Sequence, residues 1–391
     1  MKIKRSWAIV AAAALWTAAC TSGSSGSAPS PQAPAPQSGP VTLLPVDPVY
    51  DEIASFLAGR PCVSSPYKEF QETEAYRVYA SALDENWTAM ESGRLSPIRT
   101  WAEREIAEAR TASTTVFYPF GGPDALTPLV LFPGAVHYLL LGLEFVGRMP
   151  EFKTVDTESA ARYIANLQDA LGDFFKKSYF ITKNMNEALS DEKVDGVLPL
   201  LCFFLKRSGF SISSIKRLEI ADNGEAVERP YPGEKQRRRR PFGIRIAFFA
   251  AGTEVLREMT YISCDLENKA FREGKPLDLY LQGLPFETTF VKSASYLMHY
   301  REFSRIRDLI LARSRFILQD DTGIPYRLFP PETWDVRLYG TFAPPVDDFK
   351  GVDQPDLRTA FEEPGRAKPL PFPLGYHWGT KKVALLFIVK K

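Results

Sequence analysis

Histidine and cysteine are scarce in this chain, three and four residues respectively in 391. His137, His299 and His377 share no close spacing and match no zinc pattern, so no metal ligand set is identified. The 48 basic and 47 acidic residues leave a net charge of +1, which removes the electrostatic case for a nucleic-acid partner. No apolar run reaches the roughly twenty residues needed to cross a bilayer. The mature region has no G-x-S-x-G nucleophile elbow and no G-x-G-x-x-G run, and there is no internal repeat.

What is present begins with an export signal. Lys2, Lys4 and Arg5 precede an apolar stretch from Trp7 to Trp16, and Thr17-Ala18-Ala19 forms a small-residue site before Cys20. This is the layout of a signal peptide, residues 1–19. Leu15-Trp16-Thr17-Ala18-Ala19-Cys20 resembles the lipobox of bacterial lipoproteins, although Thr17 stands where a branched aliphatic is usual. The resemblance implies a lipid on Cys20 and attachment to the membrane through it. With Thr21 and not Asp next, it implies the outer membrane, facing the periplasm or the cell surface. Thr21 to Pro40 is Ser, Gly, Pro, Ala and Gln without charge, so residues 20–44 read as a disordered tether. With Cys20 lipidated, Cys62, Cys202 and Cys264 remain, an odd number. Pairing of Cys62 with Cys264 is compatible with an oxidising compartment but not required by spacing.

Residues 45–391 read as a single mixed α/β domain. The expected fold is a mixed sheet with a Rossmann-like parallel core, an N-terminal helical segment and an antiparallel strand meander. Residues 47 to 112 are helical in pattern, with Asp47-Pro48 a start and Gly59 a stop; Tyr76, Tyr79, Ala80, Leu83, Trp87 and Met90 fall on one face. Thr115–Phe120 is β-prone, Gly121-Gly122-Pro123-Asp124 turns, and Val136–Phe145 is nearly continuous apolar, as a strand buried on both faces should be. Together they form a parallel βαβ-like unit. A helix over 157–178 would bury Ala161, Ile164, Leu167, Leu171 and Phe175, and a second covers 196–208. Strands at Ile212–Ala221, Phe242–Ala251 and Met259–Asp265 make the meander, and further strands lie near Trp334–Phe342 and Lys382–Val389.

Tyr118, Gly121, Gly122 and Asp124, followed by Glu144 at the end of the next strand, are the first candidate ligand-binding residues. Glycines let a ligand approach the backbone, and an acidic residue about twenty positions on can hold a ribose diol. These thirty residues resemble the nucleoside-binding half of Rossmann-like methyltransferases. They depart from it at Tyr118 and Pro119, where that family carries an acidic residue, and at Pro123, which lacks an amide hydrogen. The alternative is a tight turn followed by a solvated strand end. His377 and Trp378, in an aromatic loop flanked by Gly375 and Gly379, are the second candidate pocket. Asp320-Asp321-Thr322-Gly323 resembles one aspartic-protease loop, but no second copy exists, so it reads as a polar turn after a strand. Lys235 and Arg237 to Arg240 read as a solvated basic loop or an anionic-surface contact.

Three functional readings follow. The first is a lipid-anchored envelope protein that binds a small molecule, a glycan or a protein partner. The second is an envelope hydrolase, which requires a pocket holding two or more of Asp124, Glu144, His299, Asp320, Asp321 and His377, at least one with a perturbed pKa. The third is a Rossmann-like nucleoside-binding domain; no cofactor is specified. Palmitate labelling in a bacterial host should mark the wild-type chain and move it to the membrane fraction. Cys20→Ser should lose both, and a labelled, membrane-bound Cys20→Ser would refute the anchor.

Overall fold

The computed structural model describes residues 44–151, 156–177, 179–180, 187–190, 193–231, 242–380 and 382–391. The signal peptide, Cys20, the tether before Leu44, Lys235 and Arg237 to Arg240 lie outside the described residues. No described helix is long and apolar enough to cross a membrane.

In chain order the described strands are β1 Thr115–Tyr118, β2 His137–Gly142, β3 Phe210–Ile220, β4 Ala226–Pro230, β5 Phe242–Ala250 and β6 Arg257–Ser263. They continue as β7 Thr288–Val291, β8 Phe316–Asp320, β9 Trp334–Gly340, β10 Ala367–Lys368 and β11 Ala384–Lys390. All join one mixed sheet in the order β10-β9-β11-β8-β7-β1-β2-β6-β5-β3-β4. Its centre, β6-β2-β1-β7-β8, is parallel throughout. Strand β11 runs antiparallel between β8 and β9. The expected meander is β6-β5-β3, extended by β4, and β6 is the strand that joins it to the parallel core.

The period-two geometry of a strand explains the apolar runs. Val116 and Tyr118 point into one core and Phe117 into the other, and Tyr138 and Leu140 alternate likewise with Leu139 and Leu141. Phe316 and Leu318 oppose Ile317, while Leu385 and Phe387 oppose Leu386 and Ile388. One face is covered by the N-terminal helices and by helices Leu126–Leu131, Thr157–Lys177 and Leu198–Arg207; the other by Pro276–Gly283, Ser304–Arg313 and Pro355–Glu362. A sheet covered on both faces needs no polar strand face.

Local signals behave as their chemistry requires. Asp47 Oδ1 accepts from the amides of Val49 and Tyr50, opening the helix Tyr50–Leu57, and Gly59 leaves it at φ +65°. Thr73 caps Glu74–Met90 through the Tyr76 amide at 3.3 Å, and Tyr76, Tyr79, Leu83 and Met90 are buried, with Ala80 and Trp87 partly so. In Thr157–Lys177 the buried stripe is Ala160, Ile164, Leu167, Leu171 and Phe174; Ala161 and Phe175 are only half-buried, one position off the expected stripe. The pairing of Cys62 with Cys264 is not made. Both thiols are free, and Cys62 packs in the core on one side of the sheet while Cys264 packs on the other.

Leu139 in β2 is fully buried. Leu139→Ala should cost about 3 kcal/mol in urea unfolding, and Val255→Ala, at a side chain 45% exposed, should stay within about 0.5 kcal/mol.

Candidate functional site

Strand β1 has β2 on one side and β7 on the other. The chain therefore leaves β1 for β2 and β6, then returns to the opposite side for β7 and β8, so loops diverge above β1 and open a crevice at the carboxyl ends. A cavity of about 570 Å³ occupies that crevice, within the size range of small-molecule sites. Its lining comes from the ends of β1, β2, β6 and β7, with Tyr179, Phe180, Phe349 and Tyr376 added from elsewhere in the chain.

Tyr118, Gly121, Gly122, Asp124 and Glu144 all line it. A Cβ on Gly142 would lie 2.7 Å from Glu144 Oε2 and 3.0 Å from Gly122 Cα, and one on Gly122 would lie 3.3 Å from the same carboxylate oxygen. Glycine at both places lets the turn after β1 close over the end of β2 beside the acid. Burial raises the Glu144 carboxyl above its ordinary range. The Tyr261 hydroxyl donates to the Glu144 carbonyl at 2.8 Å and holds this strand end in place. Asp265 and Leu266, just past β6, complete this half of the cavity.

His377 and Trp378 lie outside the lining of this cavity. The reason is the turn at Gly375, φ +63°, where a Cβ would fall 2.5 Å from Asp320 Oδ2. The backbone rests against Asp320, Tyr376 reaches the cavity, and His377 is buried with Nε2 lacking a hydrogen-bond partner among the described residues. Burial lowers the His377 pKa, and Asp320 partly opposes the shift.

Beneath the cavity lies a feature that composition and spacing did not reveal. Lys292, the first residue after β7, is buried with Asp124, Nζ to Oδ2 2.5 Å, and also reaches Thr127 Oγ1 at 3.1 Å. Asp124 accepts from the Thr127 amide at 3.1 Å and from Tyr118 at 3.2 Å, so it caps the helix Leu126–Leu131 while pairing with the lysine. Burial depresses the Lys292 pKa and Asp124 opposes that shift. Arg94, in a π-helical turn at Glu91–Leu95, is buried nearby; it donates to the Phe174 carbonyl at 3.3 Å and lies over the Phe174 ring. Desolvation pulls its guanidinium down to about 10.

The loop after β7 is held from below. The Ser293 amide donates to Asp320 Oδ2 at 2.8 Å, the Ala294 amide to Thr322 Oγ1 at 2.7 Å, and the Tyr296 hydroxyl to Asp321. Asp320-Asp321-Thr322 forms the polar turn expected after β8, closed by the Gly323 amide on the Asp320 carbonyl at 3.2 Å, and the turn is buried. Burial and mutual repulsion hold the Asp320 carboxyl above its ordinary range, and burial does the same for Asp321. Ser293, Ser295 and Tyr296 all have φ between +50° and +54°, and Phe120 after β1 has φ +61°. Such residues cost of order 1–3 kcal/mol each and persist where neighbours over-determine them. All but Tyr296 line the cavity.

Neither a protein-family model nor a curated protein matches the chain. Of the six residues gathered for a hydrolase, Asp124 and Glu144 line the cavity; Asp320, Asp321, His299 and His377 do not. Among the described residues no group of three or more His, Cys, Asp or Glu could hold a metal ion. Sequence reading missed Lys292, Ser293, Ser295, Asp265 and Tyr179 as site residues; the one local trace was the short β-prone Thr288–Val291 followed by Lys-Ser.

Lys292→Met would leave a buried carboxylate unpaired and should cost about 3–5 kcal/mol in chemical unfolding. Adding Asp124→Asn keeps the helix cap and should recover more than half of that loss. Additive losses in the double variant would show that the pair is not coupled.

Proposed function

We propose that the chain is an exported, lipid-anchored protein of the cell envelope whose globular part binds a nucleoside-type small molecule in the crevice above β1. The observation that carries the reading is Glu144 at the carboxyl end of β2, set against the Gly121-Gly122 turn inside a cavity at the switch point. A carboxylate there can accept both hydroxyls of a ribose, and glycines beneath it let the ligand meet the backbone. The doubly wound order, with β11 inserted antiparallel near one edge, resembles Rossmann-like methyltransferases. That favours an adenosyl ligand, S-adenosylmethionine included, and Asp265 with Leu266 past β6 suit the edge and face of the base. The reading is of binding: residues 1–20 point to a compartment outside the cytoplasm, where nucleoside cofactors are scarce.

Titration calorimetry on the detergent-solubilised chain would compare adenosine, S-adenosylmethionine, 2′-deoxyadenosine and glucose. Adenosine and S-adenosylmethionine should bind, 2′-deoxyadenosine at least tenfold more weakly, and Glu144→Gln should erase the difference between ribose and deoxyribose. Glucose binding as well as adenosine, or nucleoside binding indifferent to Glu144→Gln, would refute the reading.

A further inference from the structure

The other half of the cavity has a different chemistry. Tyr179, Phe180, Phe349 and Tyr376 line it together. The Tyr179 and Tyr376 rings stand perpendicular at 4.9 Å, and Phe349 lies nearly parallel to Tyr376 at 5.4 Å. These rings come from three separate stretches of chain, and none of the four is fully buried. Phe180 and Phe349 carry no polar atom on the ring, and the Tyr376 hydroxyl is already engaged with Ser295 Oγ and the Ser293 carbonyl, both at 2.9 Å. The charge of the lining is one-sided. Asp124, Glu144, Asp265, Glu267 and Asp348 face it, against Lys292 alone among the described residues, and Lys292 is neutralised by Asp124. Asp348 sits at the aromatic end; burial raises the Tyr179 phenol pKa, Lys177 lowers it, and Asp173 and Asp348 add to the rise. At the other end Glu267 is paired with Lys269, which leaves Glu144 and Asp265 there.

At the aromatic end an anionic group would meet repulsion from Asp348, and the rings offer a neutral polar group few partners. A primary ammonium would need three acceptors, which the rings do not supply. An alkylated ammonium needs none. It is attracted by the ring faces and by the nearby carboxylates, and it loses little hydration on entry. We propose that the aromatic end of this cavity is a subsite for a methylated ammonium group, carried by a ligand that sits beside the nucleoside. The inference rests on the nucleoside reading for the other half of the cavity but uses different residues, so the two can be tested apart.

The test is titration calorimetry on the full chain in detergent, with choline as the probe and 3,3-dimethyl-1-butanol as its uncharged isostere. Choline should bind at least tenfold more tightly than the isostere. Tyr179→Leu and Tyr376→Leu should each weaken choline by about tenfold, Tyr376→Phe should retain it, and Asp348→Asn should weaken it less than loss of a ring. Unchanged thermal unfolding of each variant separates loss of the subsite from loss of fold. Equal affinity for choline and its isostere, no choline binding, or choline binding indifferent to both leucine variants would overturn the proposal. Adenosine binding that stays sensitive to Glu144→Gln in the same preparations would show that the nucleoside reading survives such a failure.

Discussion

The buried ion pair between Lys292 and Asp124 ties together the two loops that diverge from the switch point. Asp124 belongs to the turn after β1 and Lys292 to the loop after β7, 168 residues later in the chain. Each charge alone would be costly at this depth, so the loops are stable chiefly in the arrangement that joins them. The same aspartate caps the helix Leu126–Leu131 and accepts from Tyr118, so strand, turn, helix and distant loop share one anchor. Arg94 adds a second buried cation against Phe174, placing the π-helical turn of the N-terminal segment within the same electrostatic neighbourhood.

Around this anchor the backbone is held in conformations that non-glycine residues avoid. Ser293, Ser295 and Tyr296 are left-handed, and the Asp320-Asp321-Thr322 segment supplies the acceptors that keep them so. Two buried carboxyls with raised pKa values would be a liability in a scaffold. Here they fix the loop that forms one wall of the cavity, so strain and burial concentrate where a ligand would bind. Strands β1, β2, β7 and β8 below hold no left-handed residue and carry alternating apolar side chains, a regular scaffold from which the loops deviate.

Much of the framework was legible in the chain because it depends on local periodicity. Val136–Phe145 reads as a strand buried on both faces, and β2 is one, since Leu139 and Leu140 point into opposite cores. Glu144 was legible because its distance from Gly121-Gly122 measures one crossover and one strand. Lys292 was not: a lysine after a four-residue strand has no local signature that separates it from a surface residue, and only Asp124 makes its burial tolerable. The buried role of Asp320-Asp321 was hidden for the same reason, because two adjacent acids look solvated until their acceptor groups are seen to be used.

Alternation of apolar side chains, the turn glycines and the helix caps were therefore determined by the sequence itself, because each acts through neighbours a few residues away. The order of strands, the switch point beside β1, the free state of Cys62 and Cys264, and the exclusion of His377 from the cavity were decided only in the tertiary structure. Each of these depends on which distant segments meet. Burial changes what a residue can do more than its identity does: the same aspartate is a turn former in water and the partner of a buried lysine beneath the cavity.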